Sequence, residues 1–110
     1  MRKDTGITPI SPRMAAKESL VAVLRHGRYS NLEIDSAVSR HSFATEADRA
    51  LYTRLVYGVI ERLITLDHVI SSVSSRDIGT IDTETLVSLR LGLYQLIYTD
   101  RIPDHAAVSE

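Results

Sequence analysis

Apolar residues recur along this chain at helical spacing in four stretches, each bounded by residues that start or stop helices. The first stretch holds Ala16, Leu20, Val23 and Leu24. Ser11 can cap it, Pro12 suits its first position because a proline φ is already helical, and Gly27 ends it. Ser30 and Glu33 stand at capping-box spacing and predict a second, shorter helix bearing Leu32, Ala37 and Val38. A third begins at Thr45, with Asp48 supplying negative charge to its first turn. Its track of Leu51, Leu55, Val59, Leu66, Ile70 and Val73 contains no proline and predicts one unbroken helix to about Ser72. A serine-rich segment with Gly79 reads as a loop. The fourth helix spans roughly Thr83 to Tyr98 and offers Leu86, Leu89, Leu93, Leu96 and Ile97 to a core. Pro103 and Asp104 then predict a tight corner and the start of another helix. Met1 to Ile10 has no periodicity and reads as a flexible arm, leaving residues 11–110 as one domain.

The pattern therefore predicts an all-α helical bundle, incomplete at its C-terminus. The unfinished end should leave part of the Leu86, Leu93, Ile97 and Val108 surface uncovered, which implies either a homo-oligomer through that surface or a frayed last helix. Composition fits a single soluble domain, with 110 residues, 44% hydrophobic and 25% charged. No apolar run approaches the roughly 18 residues that span a membrane, and no signal-peptide core opens the chain, so the expected location is cytoplasmic. Gly58 and Gly92 fall inside predicted helices, where each costs about 1 kcal/mol relative to alanine. Close helix crossing at both positions is the benefit that would offset this cost.

Catalytic chemistry is nearly absent from the residues. The chain has no cysteine, so it holds neither a thiolate nucleophile nor a thiolate metal site. No GxSxG elbow frames a serine, and no glycine-rich loop follows a strand. His26, His41, His68 and His105 show no ligand spacing and read as solvated or capping histidines, so no metal is expected. The carboxylates of Glu33 with Asp35 and Glu46 with Asp48 stand in predicted first turns, where the helix dipole accounts for them. Tyr94 and Tyr98, one turn apart, read as the edge of a core.

Charge is uneven. Residues 1–28 carry a local +4 within a total of −1. Arg13, Lys17 and Arg28 fall along one edge of the first helix, with Arg25 near that edge. Such a row can follow a phosphate backbone, and it can equally be a solvated cationic face.

The residues also carry a family resemblance. LRLGLYQL (Leu89–Leu96) followed by RIPDHAAVSE (Arg101–Glu110) resembles the signature of the NusB-like N-terminal domain of RsmB-type rRNA cytosine-C5 methyltransferases. Pro12-Arg13-Met14-Ala15-Ala16 with Arg28-Tyr29-Ser30-Asn31 is similar to that family's opening helix and YSN corner. Asp48-Arg49-Ala50-Leu51 and Leu55 to Ile60 are similar to its DRAL and LVYGV segments. The resemblance runs from about residue 12 to residue 110. Gln95 and His105-Ala106-Ala107 depart from stand-alone NusB antitermination factors and favour the methyltransferase branch.

The resemblance implies a NusB-like bundle that binds RNA, rRNA in particular, through its arginine-bearing first helix, where Arg13 and Lys17 fall. Arg25 and Arg28 extend that basic row. A dense arginine run is missing, which implies weak affinity for free RNA. In the implied parent enzyme S-adenosylmethionine and the cysteine nucleophile would lie elsewhere, and this chain itself would be non-catalytic with no cofactor of its own. Two alternatives stand beside this reading: a NusB-type antitermination factor binding leader RNA and a ribosomal protein, and a protein-interaction or dimerisation module.

Overall fold

Ser11 and Pro12 start the first helix as their chemistry dictates. In the computed structural model, which describes residues 8–99, α1 runs Pro12–His26 and the Ser11 Oγ accepts the Met14 N–H at 3.0 Å. Gly27 closes it at φ 73°, a left-handed conformation in which its N–H returns to the Val23 carbonyl at 3.1 Å. Ahead of α1, the Ile10 N–H donates to the Ser42 carbonyl at 2.9 Å, so the last residue of the expected arm is tied to the body. Residues 1–7 lie outside the described residues.

Helix α2 covers Ser30–Arg40, and here the capping-box expectation fails. Tyr29 is the N-cap and makes no side-chain capping bond, while Glu33 is turned inward and buried. Ile34 and Ala37 form the buried face, and Leu32 is exposed. The reason is burial of a carboxylate network, described below, which rotates α2 away from the phase its leucine suggests.

Helix α3 covers Glu46–Glu61, and the Thr45 Oγ1 accepts the Asp48 N–H at 3.0 Å as expected. It does not run on to Ser72. Arg62 leaves the helical region at φ −106°, ψ 16°, and a separate helix α4 covers Leu63–Val73. The break falls one turn after Gly58, and the Arg62 guanidinium is held 4.9 Å from the centre of the Tyr98 ring. A glycine in the preceding turn and a tertiary contact at the break both favour a bend, and neither registers in apolar periodicity.

A 3₁₀ turn at Ile78–Thr80 follows, with the Asp77 Oδ1 accepting the Gly79 N–H at 3.2 Å. Asp82 then caps α5 (Thr83–Tyr94) by accepting the Thr85 N–H at 3.0 Å. Gln95–Thr99 continues as a wider π-helical turn. The predicted apolar stripe of α5 is out of phase with its buried face: Val87, Leu91 and Tyr94 are buried, whereas Leu89 and Leu96 are 44% and 65% exposed. Arg90 sits in the buried face because it is paired, its Nε and Nη2 donating to the two Asp67 oxygens at 2.7 and 2.9 Å. The expected corner at Pro103, with His105 and Val108, lies outside the described residues.

These elements form two units that divide at Val56 and Tyr57, within α3. In the first, Ala16 and Leu20 of α1, Ile34 and Ala37 of α2, and Tyr52 and Leu55 of α3 make the core. In the second, the core is Val59, Leu66, Ile70, Val87, Leu91 and Tyr94. At Gly58 a Cβ would overlap the Tyr94 ring, 2.6 Å from Cε1, so the absent side chain is what admits that ring. At Gly92 no described residue lies within 4 Å of where a Cβ would stand, so the crossing expected there is not found among the described residues.

Candidate nucleic-acid interface

The basic residues singled out in the sequence fall into two sets. Arg13, Lys17 and Arg25 lie on α1, with Arg13 and Arg25 exposed and Lys17 half-buried. Arg28 does not belong to that row. The left-handed turn at Gly27 takes the chain off the helix axis before Arg28 is reached, so the extrapolation that put it on the edge of the first helix is corrected. Its Nε lies 2.8 Å from Glu33 Oε1 instead.

Glu33 is the centre of a polar cluster that the sequence did not announce. Its carboxylate is buried, and its Oε2 accepts the Ser19 hydroxyl at 2.8 Å and the Arg40 Nη2 at 3.0 Å. Ser19 has one hydroxyl proton and gives it to Glu33, so the 2.7 Å bond between Ser19 and Tyr52 is donated by the Tyr52 hydroxyl. Arg40 also donates from Nη1 to the Ser36 Oγ at 2.7 Å. The nearest sequence signal was a serine at position 19 among the apolar residues of the first helix.

Histidine 41 is not simply solvated. Its Nε2 is buried without a hydrogen bond, 3.3 Å from the Glu18 carboxylate but out of line with it, and its ring meets Phe43 edge-on. Among the described residues no group of three His, Cys, Asp or Glu is placed to hold a metal. The described elements are helices and turns, with no strand among them. No helix among them is long and apolar enough to cross a membrane.

A second surface feature lies between α4 and α5. Val69, Ile70, Val73, Leu89, Leu93 and Leu96 line an apolar groove of about 480 Å³, and Gly92 lines it too. Its second wall is formed by Leu89, Leu93 and Leu96 of the leucine stripe that the sequence pattern assigned to the core.

Known proteins that resemble this chain fall into two groups. A probable ribosomal RNA small subunit methyltransferase B of Synechocystis is 39% identical over 91% of this chain and 22% of its own length. The Bacillus subtilis protein of the same name is 33% identical over the same shares. The transcription antitermination protein NusB of Bacillus velezensis is 30% identical over 89% of this chain and 75% of its own length. The chain thus spans about a fifth of the methyltransferase relatives it matches. No solved structure matches it. The NusB family model matches residues 11–110, through the capped first helix that carries Arg13 and Lys17 and the glycine that admits Tyr94, and the chain belongs to the NusB family.

Proposed function

We propose that this chain is a non-catalytic RNA-binding domain of an rRNA cytosine-C5 methyltransferase, holding substrate while another part of the protein performs methyl transfer. One observation carries the reading: proteins named as rRNA methyltransferases align with nine-tenths of this chain along only about a fifth of their own length. Arg13, Lys17 and Arg25 on α1 are the residues assigned to RNA phosphates. The chemistry is assigned elsewhere, because methyl transfer to pyrimidine C5 needs a thiolate and this sequence has no cysteine.

The test is RNA binding across a salt series. Neutralising about two phosphates of single-stranded RNA through Arg13 and Lys17 contributes about −1.4 to the log–log salt slope. Arg13→Ala with Lys17→Ala should flatten the slope by that amount, and the isolated chain should transfer no methyl group from S-adenosylmethionine to rRNA. An unchanged slope overturns the α1 assignment, and label appearing in rRNA overturns the non-catalytic one.

The alternative, a transcription antitermination factor, draws on the Bacillus velezensis relative, three-quarters of whose length is covered. The size of the natural gene product separates the two. A product several times longer than this chain supports the methyltransferase reading, and one only slightly longer supports the antitermination factor.

A further inference from the structure

Glu33 holds one arginine on each of its oxygens, Arg28 Nε at 2.8 Å from Oε1 and Arg40 Nη2 at 3.0 Å from Oε2. A surface ion pair ordinarily sets one charge against one. Here a single buried carboxylate serves two guanidiniums, so the group keeps a net positive charge. Both arginines remain nearly half exposed, at 45% and 46%, while the Glu33 side chain is 4% exposed. The carboxylate is fixed from behind by the Tyr52 to Ser19 hydroxyl relay, and Arg40 is fixed again by Ser36. Ordering two long side chains normally costs rotamer entropy when a ligand binds, and in this cluster much of that ordering is done by folding.

Two arginines one carboxylate apart, outer faces toward solvent, present planar N–H donors suited to phosphate oxygens. The next residue adds a different chemistry. Tyr29, following Arg28 at the N-cap of α2, is 73% exposed and makes no capping bond. An exposed ring one residue along the chain from a phosphate-binding cation offers a stacking face for a base that is already unpaired.

We propose that Arg28 and Arg40, anchored on Glu33, form a phosphate-binding pair for single-stranded RNA, with Tyr29 as the adjoining stacking surface. The proposal rests on the RNA-binding reading above and extends it beyond the first helix to α2. Duplex RNA is the poorer ligand, because its bases are not available to Tyr29.

The experiment measures binding of the full-length protein to labelled oligouridine, and to an abasic oligomer of the same length, across a salt series. Arg28→Ala with Arg40→Ala should reduce the slope by about 1.4, two phosphates at about 0.7 each, and Arg28→Lys with Arg40→Lys should retain it. Tyr29→Ala should weaken oligouridine binding about tenfold and leave abasic binding unchanged. Should the double alanine variant lose helicity, Arg40→Ala alone decides, with an expected drop of about 0.7. If the arginine variants keep the wild-type slope while Arg13→Ala with Lys17→Ala flattens it, the pair is internal scaffolding and the proposal fails with the RNA reading intact. If the wild-type protein binds no RNA, both fail.

Discussion

Glu33 shows how one residue sets the stability of its neighbourhood. Its carboxylate accepts from Ser19, pairs with two arginines and is nearly sealed from water, so replacing it with alanine takes the acceptor from the Ser19 hydroxyl and the counter-charge from both guanidiniums. The arginines are half exposed and can rehydrate, which keeps the cost well below that of a wholly buried ion pair. Glu33→Ala should therefore destabilise by roughly 1–3 kcal/mol. Arg28→Ala and Arg40→Ala should each cost less, because the carboxylate keeps its other arginine. Chemical denaturation of the three variants checks the order, and an arginine variant costlier than Glu33→Ala contradicts it.

At the scale of elements, the two helix glycines separate. Adding a methyl group at Gly58 meets the Tyr94 ring, itself buried and stacked on Tyr98 at 5.2 Å between centres. The ring must move and the stack must loosen. Gly58→Ala should cost about 1–3 kcal/mol despite its better helix propensity, and Tyr94→Leu in the same chain should recover part of that loss. Gly92→Ala, with open space at its Cβ among the described residues, should instead stabilise by up to about 1 kcal/mol. Thermal melts followed at the helical band read both signs, and equal effects at the two positions would show that local propensity alone governs them.

The same elements show what a sequence carries. Caps at Ser11, Thr45 and Asp82 depend on a side-chain oxygen three residues before an N–H, which is local information. Glycine 27 announces its left-handed turn for the same reason. The break at Arg62, the inward turn of Glu33 and the buried phase of α5 depend on partners far along the chain: Tyr98, Ser19 and Asp67. A bidentate salt bridge brings Arg90 into a face that hydropathy gives to leucine, and no periodicity anticipates it. The basic α1 row was visible as composition; the arginine pair was not, because Arg40 is distant in sequence from Arg28.

For the whole molecule, the groove between α4 and α5 is the largest departure from the expected pattern. Val73 is 80% exposed and Leu96 65%, a density of uncovered apolar side chains that favours association. The expected outcome for the purified chain is self-association that rises with concentration and is abolished by Leu89→Glu with Leu96→Glu, at little cost to folding, because both side chains already face solvent. Sedimentation across a dilution series checks it. A monomer at every concentration refutes self-association through this face.

The π-helical turn at Gln95–Thr99 bears on how this chain tolerates change in length. A wider turn accommodates one residue more than an α-helical turn while the flanking segments keep their facing. Two side-chain bonds accompany the turn: the Gln95 Nε2 donates to the Leu91 carbonyl at 3.1 Å and the Thr99 hydroxyl to the Gln95 carbonyl at 2.9 Å. Deleting Leu96 should let the turn relax to ordinary helix with the upstream pairing of Arg90 and Asp67 unchanged. Deleting Ser88, about two turns earlier, should rotate Arg90 away from Asp67 and unfold the α4 and α5 pair. Among the described residues this wider turn is the place where a one-residue change in length costs the helices before it least.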